Sequence, residues 1–233
     1  MEGQTPVLAF RGARLAIEPS GGLTAPVTLT LAPGALVLAD LRGPLRRQAF
    51  ADAACGLLPP AEGAVLFQGR RWEEVTDEHG AAMRGRIGRL FGRDSWLPEL
   101  SVEDTILLAP RYHTRRPDRA LREEAARLAA AFGLPGLPVA PPTALTAAEL
   151  HRAGLVRAFL NDPALVILED PLGIDAEEIL PPLMGEIRKL RDRGGAVLWL
   201  TQGSPAAIER SIPATERLRL AQGALLAVTD RAA

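Results

Sequence analysis

The chain has 233 residues, a formal net charge of −1, 47% hydrophobic residues and a single cysteine, Cys55. That composition supports a real core and excludes wholesale disorder, and the balanced charge argues against nucleic acid or an anionic lipid surface as the main partner. A lone cysteine excludes an internal disulfide and fits a reducing compartment; the N-terminus MEGQTPVLAF lacks the pattern of a signal peptide, and no window approaches the roughly 18 apolar residues of a membrane span.

The first thirty residues read as strands. Val7 to Arg11 and Arg14 to Ile17 are short, Pro19-Ser20-Gly21-Gly22 is a turn, and Val27 to Leu31 alternates threonine with aliphatics. Pro33-Gly34 turns the chain into an apolar strand, Ala35 to Ala39. A loop at Asp40 to Leu45 leads to a helix over Arg46 to Leu58, stopped by Pro59-Pro60. Gly63 to Gly69 is a strand, a polar span reaches Arg86, and Ile87 to Phe91 is a further short strand. Residues 102–160 are mostly helical. Val102 to Leu108 has Ser101 as N-cap and Glu103 and Asp104 in its first turn, and Pro117 to Phe132 starts on proline and ends at Gly133.

A proline-rich connector then enters the stretch LTAAELHRAGLVRAFLNDPALVILEDP, Leu145 to Pro171. It reads as an amphipathic helix, a turn at Asn161-Asp162-Pro163, and a continuous aliphatic run, Ala164 to Leu168. Such a run is the pattern of a strand buried on both faces of a parallel sheet. Glu169 and Asp170 emerge at its carboxyl end, where open α/β sheets place their ligands. Ala176 to Asp192 is a helix ended by Gly194-Gly195, Ala196 to Leu200 is a buried strand, and Arg217 to Leu220 and Ala224 to Val228 turn at Gln222-Gly223. The order predicts one α/β domain over residues 1–233, with a β-rich start and a helical insert near 100–160. No linker divides it.

This order resembles the ATP-binding-cassette (ABC) ATPases, whose fold is of the P-loop NTPase type with a β-rich N-terminal subdomain and a helical insert. Leu145-Thr146-Ala147-Ala148-Glu149 occupies the place of the LSGGQ signature, Arg157-Ala158 that of the arginine-alanine pair closing its helix, and Glu169-Asp170-Pro171 that of the Walker B end. Gly34-Ala35-Leu36-Val37-Leu38 is similar to the strand before the Walker A loop, and Cys55-Gly56-Leu57-Leu58-Pro59 with Gly63 and Gly69 to the family's AGLL-P-x-x-G-x-V-x-x-x-G run. Ile87 to Leu100 resembles the Q-loop region, and Thr201-Gln202 falls where the switch histidine belongs. The likeness covers nearly the whole chain. Leu107 to Thr114 is also similar to a short run in ATPases serving MCE-type lipid transporters.

The resemblance implies a nucleotide site, and this sequence departs from it at each motif. A Walker A loop, G-x-x-x-x-G-K-[ST], turns backbone N–H groups onto the phosphates, with lysine on the β/γ oxygens and the hydroxyl on magnesium. Ungapped placement puts it at Leu41-Arg42-Gly43-Pro44-Leu45-Arg46-Arg47-Gln48: Arg46 stands for the second glycine, Arg47 for the lysine and Gln48 for the hydroxyl. Pro44 removes a donor. Arg42, Arg46 and Arg47 read either as an altered anion site at a helix N-terminus or as a solvated arginine cluster. Glu169 stands for the metal-binding aspartate and Asp170 for the catalytic glutamate, so the acids are inverted. Gly92 replaces the Q-loop glutamine, and Gln202, which cannot titrate near neutral pH, replaces the switch histidine. Thr146 keeps the signature hydroxyl, Ala147 and Ala148 replace its glycines, and Glu149 ends it. Around Ile17 no aromatic is placed to stack on adenine, and the D-loop, Leu172 to Asp175, is one residue short.

These losses touch phosphate grip, metal, water activation and the composite partner site together, so a pseudo-ATPase without resident metal is expected; the alternative is a weak ATPase using Arg47 and the swapped acids with ATP and magnesium. In the family, the Q-loop and helical insert receive a transmembrane subunit. Phe91, Trp96, Leu97, Pro98 and Leu100 supply apolar and aromatic residues of the sort interfaces use. The expected partners are thus a transmembrane permease and a second ABC subunit, identical or not, at the inner face of the cytoplasmic membrane. His79, His113 and His151 lack metal-ligand spacing, Cys55 reads as packing, and Trp72, Trp96 and Trp199 form no stacking ladder.

Overall fold

Aliphatic runs bounded by turns become strands, and these sort into two sheets. The computed structural model describes residues 4–17, 22–92, 95–173, 175–203 and 211–228. One sheet is antiparallel and contains β1 (Leu8–Arg14), β2 (Val27–Leu31), β4 (Glu62–Phe67) and β5 (Arg70–Arg71), in the order β2-β1-β4-β5. The other contains β3 (Leu36–Asp40), β6 (Ile87–Leu90), β7 (Leu165–Glu169), β8 (Ala196–Thr201), β9 (Glu216–Ala221) and β10 (Ala224–Ala227), in the order β10-β9-β3-β8-β7-β6. Its pairings are parallel except for the closing hairpin β9–β10.

The aliphatic run read as doubly buried is so. Along β7, Leu165 and Ile167 enter one core and Val166 and Leu168 the other, the two-residue alternation of a pleated strand. The first core also takes Phe10, Leu29 and Phe67 from the antiparallel sheet and Phe50 from α1 (Pro44–Ala54). The second is closed by α3 (Val102–His113), α4 (Asp118–Ala131), α5 (Ala147–Phe159) and α6 (Ala176–Asp192). Residues 102–160 are thus mostly helical and pack on one side of the parallel sheet.

Several boundaries differ from the sequence reading. In place of two short strands between Val7 and Ile17 there is one, β1 (Leu8–Arg14), whose register shifts between Phe10 and Ala13, where Gly12 has φ +59°. A helix α2 (Asp77–Arg84) lies in the span read as merely polar. It buries only Gly80, so no apolar stripe announces it, and the Thr76 side chain that accepts from His79 N–H starts it. Helix α3 continues through the buried Pro110 and closes with Thr114 N–H on the Pro110 carbonyl. Helix α1 starts two residues early, on Pro44, and stops at Ala54 because Gly56 turns left-handed at φ +66°. Residues Pro19 to Gly21 of the expected turn and Ile174 of the short D-loop lie outside the described residues.

One close approach holds the insert on the sheet. A methyl group added to Gly88 in β6 would stand 1.7 Å from the Ala158 carbonyl oxygen of α5. Only glycine lets the strand and the helix backbone meet there.

Candidate functional site

The C-terminal ends of β3, β7 and β8 converge on the N-terminus of α1, and this edge gathers most of the expected site residues. The loop that would cradle phosphate is wound into helix. Pro44 occupies the first helical position, and Arg47 N–H already donates to the Gly43 carbonyl at 3.2 Å. The positions between Gly43 and Arg47 are therefore the first helical turn rather than an open ring of donors. Arg42, at φ 41°, and Gly43, at φ 142°, take the sharp bend out of β3.

Arg47 is no part of a solvated cluster. It is 4% exposed, and its Nη2 lies 2.6 Å from Asp170 Oδ2 while Nη1 donates to Gln202 Oε1 at 3.3 Å. Gln202 N–H returns a hydrogen bond to Asp170 Oδ1 at 3.3 Å. The positions standing for the lysine, the catalytic acid and the switch histidine are thus joined to one another. Burial pushes the Asp170 carboxyl up, against the pull of Arg47, and its backbone sits left-handed at φ 48°. Arg42 and Gln48 are exposed, and Arg46 is half-buried.

Glu169 is held separately. It is 4% exposed, and its Oε1 accepts from Arg89 Nε at 2.8 Å, while Arg89 Nη1 donates to Asp52 Oδ1 of α1 at 2.6 Å. Burial raises the Glu169 carboxyl; Arg89 and the Gly92 N–H act the other way. Burial by itself would lower the Arg89 guanidinium, but Glu169 and Asp52 overcome it and hold it above its ordinary value, so it stays charged. Gly92 offers only its backbone, and a Cβ there would meet Glu169 Cβ at 3.3 Å. Asp52 and Arg89 were not singled out from the sequence. The available signal was an arginine inside the apolar run of β6, which calls for a buried acid partner.

The residues present do not fit a magnesium nucleotide. The phosphate cradle is helical, the Arg47 and Arg89 guanidinium groups are engaged by carboxylates, and the cleft that Pro44, Gln48, Phe91 and Gly92 complete encloses about 120 Å³. Sites for drug-sized ligands enclose roughly 300–1,000 Å³.

The signature positions form an ordinary but complete helix start. Thr146 Oγ1 accepts from Glu149 N–H at 3.2 Å, and Glu149 Oε2 accepts from Thr146 N–H at 2.8 Å, a reciprocal capping box. The hydrogen bonds from Thr146 N–H and hydroxyl hold the Glu149 carboxyl below its usual value. Ala147 is exposed and Ala148 half-buried beside them.

Next to the cleft, Arg157 of α5 stacks over Phe91 at 5.0 Å and Trp96 at 4.6 Å and donates to the Ser95 carbonyl and hydroxyl. Burial, with the Arg89 charge adding to it, lowers Arg157 to about 10, which leaves it cationic at neutral pH. Phe91 and Leu97 are 40% and 44% exposed; Pro98 is exposed, and Trp96 and Leu100 are half-buried. Among the described residues no group of His, Cys, Asp and Glu forms a metal site, and no helix is long and apolar enough to cross a membrane.

Set beside known proteins, this arrangement falls in the class of ATP-binding cassettes. The fold matches a dimeric, post-hydrolysis structure of the ATP-binding cassette MJ0796 bound to ADP and Pi, with a TM-score of 0.80 over 93% of this chain and 95% of that one at 17% identity. The family model described as ABC transporter matches residues 49–173, more than half the chain, which therefore belongs to the ABC transporter family. Among curated relatives it is 31% identical over 147 residues to the intermembrane phospholipid transport system ATP-binding protein MlaF of Haemophilus influenzae, covering 63% of this chain and 54% of that protein. It is 33% identical over 189 residues to the Fe(3+) ions import ATP-binding protein FbpC of Streptomyces coelicolor, covering 78% and 51%. The matches to both span about half the relative's length.

Proposed function

We propose that this chain is a non-hydrolysing ABC subunit with a structural or regulatory role in a membrane transporter. The observation that carries the reading is the Arg47–Asp170 pair at 2.6 Å. In the family's chemistry the cation grips phosphate and the acid positions water; two groups neutralising each other do neither. The helical first turn of α1 and the Arg89–Glu169 pair support the same conclusion for phosphate and metal. On this reading residues 1–233 are one cassette domain that works without ATP or magnesium.

Its partners are a transmembrane permease and a second ABC subunit, a copy or a different chain, at the inner face of the cytoplasmic membrane. The docking face is built on Phe91, Trp96, Leu97, Pro98 and Leu100. Its partial exposure supports this, since the stack of Arg157 on Phe91 and Trp96 stiffens the segment while Leu97 and Pro98 stay outward. Similarity to MlaF favours a lipid cargo.

The second reading, a weak ATPase, is favoured by the survival of a cation and two carboxylates at the sheet edge. Calorimetric titration with magnesium ATP separates the two. No heat above dilution supports the first reading, whereas saturable binding that Arg47→Ala removes, accompanied by phosphate release, supports the second.

A further inference from the structure

Arg89 carries a charge into a strand whose other side chains call for none. It is 8% exposed, and the Phe91 ring covers its guanidinium at 4.4 Å. Two carboxylates fix its position. Nε reaches Glu169 at the end of β7, and Nη1 reaches Asp52 in the last turn of α1. A planar fork can serve two acceptors in different directions; an ammonium serves them less well.

Consider the same place without the arginine. Glu169, 4% exposed, would keep one backbone donor, the Gly92 N–H, and Asp52 would face it across the cleft. Arg47 is already committed to Asp170. Two acids around a small polar cleft then need a cation from outside, and oxygen ligands of this kind suit a divalent ion.

We propose that Arg89 is a built-in counter-cation, which takes over the charge role of a divalent metal and cross-links α1, β6 and β7. The cleft then keeps one shape whether or not any ion or nucleotide is supplied. The inference rests on the reading of the cleft as non-hydrolytic and adds the residue responsible. Arg89 is a positioning residue here. It acts by holding Glu169 and Asp52.

The test is thermal unfolding of the full chain in a chelator and in excess MgCl2 or MnCl2. Wild type is expected to melt at the same temperature in all three. Arg89→Met keeps the aliphatic stem but not the charge. It is expected to melt lower in chelator and to gain roughly 3–6 °C from ion at about ten times its dissociation constant. Arg89→Met with Glu169→Gln should recover part of the loss and ignore the ion.

A wild type that itself gains melting temperature from MgCl2 would overturn the proposal, as would an Arg89→Met loss repaired by neither ion nor Glu169→Gln. If Arg89→Met does not fold, the double variant decides: a folded double variant supports the charge role, and an unfolded one contradicts it. ATP hydrolysis by wild type, with Arg89→Met behaving as expected, sinks the non-hydrolytic reading but keeps the counter-cation. An inert wild type with an ion-indifferent Arg89→Met does the reverse.

Discussion

A guanidinium buried as deeply as that of Arg47 has to be compensated, and Asp170 does so at 2.6 Å. Because Asp170 is partly exposed, the pair sits between a buried and a surface ion pair in strength. A double-mutant cycle on Arg47→Met and Asp170→Asn, read by urea unfolding, is expected to give a coupling of about 1–3 kcal/mol. Coupling indistinguishable from zero would mean that the two groups are neighbours and no more. Cys55 makes a second prediction at this scale. Burial, the largest effect on it, pushes its thiol up to about 11. Thiol reagents near neutral pH should therefore leave it unmodified until the chain unfolds; rapid labelling of the native protein contradicts this placement. At single positions the sequence was partly legible. It marked Arg47, Glu169 and Asp170 as altered, yet it could not say that Arg47 would turn inward, because solvated and buried arginines look alike in one sequence. Arg89 was legible in principle, since a charge within an aliphatic strand demands a partner. Asp52, on a mixed helix, was not.

At the scale of elements, the strongest constraint is the contact of β6 with α5. Gly88→Ala places a methyl group against the Ala158 carbonyl. It is expected to destabilise by about 3 kcal/mol or more, since neither backbone can withdraw without opening the core. A loss under 1 kcal/mol in denaturant unfolding, roughly that of an ordinary surface change, would show the two elements to be looser than described. Helices α3 and α4 are clamped by Asp118, which accepts from Arg111 of α3 at 2.6 Å and from Arg122 of α4 at 2.7 Å. These bonds hold its carboxyl down to about 2. The folded value lies below the unfolded one, so the contribution is present above the ordinary carboxylate value of about 3.9 and is lost as pH falls toward about 2. Asp118→Asn should flatten the fall of stability across that window, and salt should shrink the difference. An unchanged slope at low salt would remove the clamp. Strands and long helices were read well, with α6 matching residue for residue, because periodicity and turn residues agree there. Helix α2 was missed because it buries almost nothing, and the start of α1 because proline at a first helical position reads equally well as loop.

At the scale of the molecule, two cores meet on the two faces of β7, and the parallel sheet presents its C-terminal edge as the family's ATP-binding cassettes do. That much was visible in the order of motifs, since burying an aliphatic run on both faces requires elements above and below it. The sequence could not show how the edge is closed. Closure depends on side chains far apart in the chain: Arg47 with Asp170 and Gln202, and Asp52 with Arg89 and Glu169. On the proposed non-hydrolytic reading, each of these two groups supplies from within the protein a charge that a bound nucleotide and its metal would otherwise bring. The direct test is the rate of magnesium-dependent ATP hydrolysis by the purified full chain, measured beside Asp170→Ala. The expected result is a rate at background and identical in the two proteins; hydrolysis that Asp170→Ala abolishes would contradict the account.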